Sequence, residues 1–123
     1  MNKQEIVTVP GGRLSNPHLL RVDTSKVNDY LLNPEHPIGA AKAKFFAQVG
    51  FSQSDVEEFS AALRAHATQN TIADVIPHAY GIKTVIDCFM PAPNGRAYCI
   101  RSVWNDYQDG EPPRLITAHP LSV

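Results

Sequence analysis

The chain has 123 residues, 43% of them hydrophobic and 19% charged, with a formal net charge of −1. That is enough chain for one core without a metal or disulfide staple, and the balance excludes global disorder. It also lacks the basic excess of a typical nucleic-acid-binding domain, although net charge does not fix how charge is distributed.

Cys88 and Cys99 form no CxxC or Cys/His zinc spacing. The apolar runs are too short to cross a bilayer, and MNKQEIVTVPGG carries no apolar signal core. The expectation is a cytoplasmic chain with reduced cysteines, or a segment delivered on a larger carrier, with no membrane partner.

Residues 1–22, rich in Gly, Pro, Asn and Ser, read as an extended arm, and 23–123 as a single α+β domain. A first helix starts after Asp23 or Thr24, carries Val27, Tyr30 and Leu31 on one face, and stops at Asn33-Pro34. A second is expected from Ile38 to Val49, with Ile38, Ala41, Phe45 and Val49 as its stripe and Gly50 beyond its end. Steps of 100° put Lys42 inside the apolar arc and Lys44 on the far side. Ser52 is expected to cap a third helix with Asp55 at N3 and Phe51 stapled to Val56; Val56, Phe59 and Leu63 carry the stripe to His66 or Ala67.

The period then changes. ADVIPHAY, IKTVIDCFM, RAYCIRSVW and RLITAHP are short strand-like runs. Tyr80-Gly81, Asn94-Gly95 and the segment from Asp109 to Pro113 supply the turns, so the strands should form an antiparallel meander with Pro77 on an edge. The predicted fold is α+β, with about three helices on one face of a roughly four-stranded sheet.

Strict alternation places Tyr98, Ile100, Ser102 and Trp104 toward the core and Cys99, Arg101 and Val103 on the opposite face. It also groups Leu115, Thr117 and His119 on one face and Arg114, Ile116 and Ala118 on the other. The two cysteines could approach across the hairpin but read better as small core residues.

His36, between two prolines at a helix start, is an ordinary loop histidine or a proton-transfer group beside an anion. Lys42 either snorkels its ammonium to water or holds a phosphate at a cleft edge. Arg101 should meet Lys42 where helix and sheet join, with Glu35 or Asp87 as counter-charge. His66 extends the helix stripe and reads as a partly buried or edge histidine, and His78 follows Pro77 near a turn. The sequence contains no HExxH, catalytic carboxylate pair or phosphate-binding glycine loop.

The ordered segments DYLLNPEHPIGAAKAKFF, GF, RSVW and PRLITAHP, over about residues 20–120, resemble an uncharacterised bacterial family, domain of unknown function 6883. Members read similarly as YLLNPEHP, KARFF, RSVW or RTVW, and PRLVTAYP; here His119 stands where a tyrosine is common. The resemblance implies a domain found alone or at the ends of polymorphic toxins. Its layout is similar to metal-independent ribonuclease toxins related to barnase, colicin D and RelE, a fold-level analogy.

It picks out His36, Lys42, Arg101, Arg114 and Thr117. The implied activity is metal-independent endoribonucleolytic cleavage without a cofactor. His36 would transfer protons, Lys42 and Arg101 would hold phosphate, Thr117 would bond it, and Arg114 and His119 would contact substrate. The implied partners are RNA and a cognate immunity or antitoxin protein. The alternative is a non-catalytic binding or antitoxin-like module in which the same residues are structural.

Overall fold

The computed structural model describes residues 10–14, 19–33, 35 and 40–121, the side chains of residues 29 and 30 excepted. His36 and Ile38 lie outside the described residues. The chain forms α1 (Thr24–Lys26), which runs on as a single π-helical segment over Val27–Leu31, then α2 (Ala40–Gln48) and α3 (Val56–Gln69). Strands β1 (Ile72–His78), β2 (Gly81–Pro91), β3 (Ala97–Asp106) and β4 (Arg114–Pro120) follow. The sheet order is β1-β2-β3-β4, antiparallel throughout.

Short turns impose this order. His78 pairs with Gly81, so β1 and β2 join through Ala79 and Tyr80 alone. Gly81 has φ 129, and a Cβ there would collide with the Asp106 carbonyl oxygen, so glycine is required. The Asn94-Gly95 turn is wider than a two-residue hairpin. Pro91 pairs with Ala97, and the Ala92 carbonyl accepts from the Gly95 amide within the loop. Pro77 lies on the β1 edge, as expected.

The core lies between the helices and one face of the sheet. Trp104, Ile100, Ile86 and Leu115 from the strands are fully buried, as are Val27, Leu31, Phe46, Phe59 and Leu63 from the helical side. Burying each such side chain stabilises the fold by about 1.5–3 kcal/mol before entropy is subtracted. Phe46 stacks on Phe59 (centroids 4.8 Å) and Phe59 on Phe51 (4.6 Å), which joins α2 to α3.

This packing corrects the stripe predicted for α2. Ala43, Phe46 and Val49 are buried, Ala41 is exposed and Phe45 is half-buried against Tyr98. The helix is rotated by about one residue because Phe46, not Phe45, meets the α3 aromatics. The start of α3 also differs. Ser52 accepts from Ser54 N–H at a 3-10 turn over Gln53–Asp55, and Asp55 is the N-cap of α3, accepting from Glu58 N–H.

Of the two readings of His66, burial holds and is complete: it is 1% exposed. Trp104 Nε1–H donates to Ser102 Oγ at 2.9 Å, and Ser102 meets His66 Nδ1 at 3.0 Å. His66 Nε2 lies 2.9 Å from the Ile100 carbonyl and 3.0 Å from that of Cys88. Carbonyls only accept, so the proton sits on Nε2, and Ser102 donates to Nδ1. Burial holds His66 below its ordinary pKa of 6.5, partly offset by these carbonyls and by the charge of Asp87.

Candidate functional site

Most of the residues singled out in the sequence are ordered by one irregularity in β4. Val103 pairs with Thr117 but Trp104 pairs with Leu115, so Ile116 is an extra residue, a β-bulge. The bulge breaks strict alternation and overturns the predicted grouping. Leu115 and Ala118, opposite Trp104 and Ser102, are both fully buried on the core face. Arg114, Thr117 and His119 pair with Asn105, Val103 and Arg101, and so lie on the face away from the helices. One extra residue therefore separates Thr117 and His119 from Leu115 and puts them on the side of Arg101.

Across that face runs a row from Asp87 through Arg101 to His119, set by the β2–β3 and β3–β4 register. Arg101 makes a two-pronged bond to Asp87, Nε to Oδ1 at 2.8 Å and Nη2 to Oδ2 at 2.9 Å. Asp87 is thus the counter-charge expected for Arg101, and its bond, followed by the charges of Asp87 and Asp74, raises the guanidinium pKa against the opposing effect of burial. His119 Nδ1 lies 3.1 Å from the Pro120 carbonyl, so that nitrogen donates to it.

Lys42 reaches this strand from α2. Half-buried, it donates from Nζ to Thr117 Oγ1 at 3.1 Å, whereas Lys44 is exposed. Thr117 and His119 are two residues apart on one strand, about 7 Å, and Arg101 stands opposite His119. Lys42 and Thr117 are thus bonded directly, and Arg101 and His119 form the pair two residues along the same ladder. The middle of this face is enclosed by its neighbours, since Val85 is 6% exposed and Asn105 1%.

Arg114 is on the same face but turned aside. Its Nε lies 3.7 Å from Asp23 Oδ2, an ion-pair contact longer than a hydrogen bond. The strand is pinned there by Arg21, whose amide donates to Pro113 and whose carbonyl accepts from Leu115. His36, the sixth predicted site residue, is outside the described residues.

A family model described as Domain of unknown function (DUF6883) matches residues 13–122. The chain belongs to this family. The match takes in the segments carrying Lys42, Arg101, Arg114, Thr117 and His119. No curated protein matches the chain. Among solved structures, a contact-dependent growth inhibition toxin–immunity protein complex from Klebsiella pneumoniae 342 contains a similar chain, with TM-score 0.61 and 23% identity over 83% of this chain and 93% of that one. At that identity the likeness concerns the fold.

Asp87 was legible as an acidic partner for Arg101, but the register was not: a two-residue Asn94-Gly95 hairpin would set it opposite Ser102, and the wider turn sets it opposite Arg101. The Ser102–His66 bond was not, since a helix residue and a strand residue meet there only through tertiary packing. Among the described residues no group of three or more His, Cys, Asp or Glu is arranged to hold a metal, and no helix is long and apolar enough to cross a membrane.

Proposed function

We propose that this chain is a toxin-system component that cleaves RNA phosphodiester bonds without a metal. The observation that supports the reading is the Lys42–Thr117 bond on β4, with Arg101 paired to His119 on the same ladder. Attack of a ribose 2′-OH on its own phosphate needs a base, an acid and a cationic clamp. Lys42 and Arg101 hold the phosphate, Thr117 bonds one of its oxygens, and His119 contacts substrate. His36 is assigned proton transfer and Arg114 orientation of the strand beyond the scissile bond. The solved neighbour, a chain of a toxin–immunity complex, supports a toxin-system setting and a cognate immunity or antitoxin partner.

A second reading, a non-catalytic binding or antitoxin-like module, is favoured by the Asp87–Arg101 fork, which occupies one edge of the guanidinium. The two readings separate on purified protein incubated with tRNA or total RNA, with and without EDTA. Cleavage that persists in EDTA and disappears in Lys42→Ala with unchanged melting temperature supports the enzyme. Intact RNA in every condition, together with no growth inhibition on expression, leaves the binding module.

A further inference from the structure

The β2–β3 ladder pairs Cys88 with Ile100 and Phe89 with Cys99. In a regular ladder these offsets send the two cysteine side chains to opposite faces. Cys88 does not follow the ladder: its φ is 142, in the region L-residues rarely adopt. That turn brings its sulphur to 2.7 Å from Cys99 Sγ. From the core side, the Cys88 carbonyl is held by His66 Nε2 at 3.0 Å, so the unusual backbone is part of the buried network. The contact matches the expectation that the two cysteines approach across the hairpin; Cys99 is buried, as a core residue would be, and Cys88 is half-buried.

A non-glycine residue at such an angle costs on the order of 1–3 kcal/mol. A weak thiol–thiol contact does not offset that, whereas a covalent bond does. We infer that Cys88 and Cys99 are a redox pair that closes to an intramolecular disulfide when it meets a low-molecular-weight disulfide. The sulphurs need to approach by only roughly 0.7 Å to reach a bond length of about 2.05 Å.

The chemistry balances as two thiol–disulfide exchanges. The Cys88 thiolate attacks the small disulfide, forming a mixed disulfide and releasing one small thiol. Cys99 then loses its proton and attacks Cys88 Sγ, releasing the second small thiol. The small disulfide is reduced by two electrons and the protein dithiol is oxidised by two. Cys88 goes first because it is half-exposed, whereas Cys99 is 8% exposed. Burial, then the contact with Cys88, pushes the Cys99 thiol up to about 11. Cys99 stands two residues from Arg101 on the same face, so the bond would form beside the candidate site. The inference does not depend on RNA cleavage.

The test uses the full-length native chain with excess oxidised glutathione, quenched in acid. Intact mass, free-thiol count and non-reducing electrophoresis are then read. The expected product is a monomer lighter by two hydrogens, with no free thiol and no retained glutathione, restored by reduced glutathione. It should form at least about tenfold faster in the folded chain than in urea. Cys99→Ser should stop with one glutathione on Cys88. A stable glutathione adduct on the unmodified chain, disulfide-linked dimers, or equal rates folded and unfolded would each overturn the inference.

Discussion

Removing one hydroxyl from the core tests whether the Trp104–Ser102–His66 chain is a connected network. Ser102 is 0% exposed and is bonded on two sides. Ser102→Ala creates almost no cavity but strips a partner from Trp104 Nε1–H and from His66 Nδ1. Each buried group left unsatisfied costs about 1–3 kcal/mol, and local relaxation recovers part of it. We expect a net loss of about 3 kcal/mol in urea unfolding with an unchanged m-value. At this chain length that lowers the melting temperature by roughly 10 °C.

Trp104→Phe combined with Ser102→Ala should cost less than the sum of the two singles, by about 1 kcal/mol, because the double variant no longer leaves the indole N–H unpaired. A Ser102→Ala loss below about 1 kcal/mol, or strict additivity in the cycle, would refute the network.

The same histidine sets a pH dependence. Its folded pKa lies below 6.5, so the unfolded chain binds the proton first as pH falls. Stability from this group is complete above about 6.5 and declines below it, by up to about 1.4 kcal/mol per pH unit, until the folded value is passed. His66→Gln should remove that part of the slope in urea titrations run across this range. Gly81→Ala should destabilise by several kcal/mol, because the added Cβ meets the Asp106 carbonyl in a positive-φ turn; Gly95→Ala, with open space around it, should cost only about 1 kcal/mol in thermal melts. Thr117→Val should lower RNA cleavage by about 10- to 100-fold, roughly 1.4–2.7 kcal/mol of barrier, with the melting temperature within about 2 °C. Equal activity with a lowered melting temperature would make Thr117 structural.

The sequence was most informative where period and turn chemistry act locally. The Tyr98–Trp104 alternation, the Tyr80-Gly81 turn and the α3 stripe all lead to the observed meander and core. It was least informative where one residue changes register. Nothing in RLITAHP announces that Ile116 is extra, because the run has normal strand propensity throughout. The bulge exists only relative to β3. Lys42 was legible as a lysine out of place on an apolar face, but its partner on β4, 75 residues away, was not. The rotation of α2 depends on which of two adjacent phenylalanines meets α3, and adjacent aromatics leave that choice to tertiary packing.

The central claim is that Lys42, Thr117, Arg101 and His119 act on a phosphodiester whose own 2′-OH is the nucleophile. The chemistry of the new RNA ends tests it most directly. Transcripts cut by the purified chain in EDTA should end in a 2′,3′-cyclic phosphate opposite a 5′-hydroxyl, and Lys42→Ala should yield no such ends. Ends bearing a 3′-hydroxyl and a 5′-phosphate, or RNA left whole by the unmodified protein, would contradict the account.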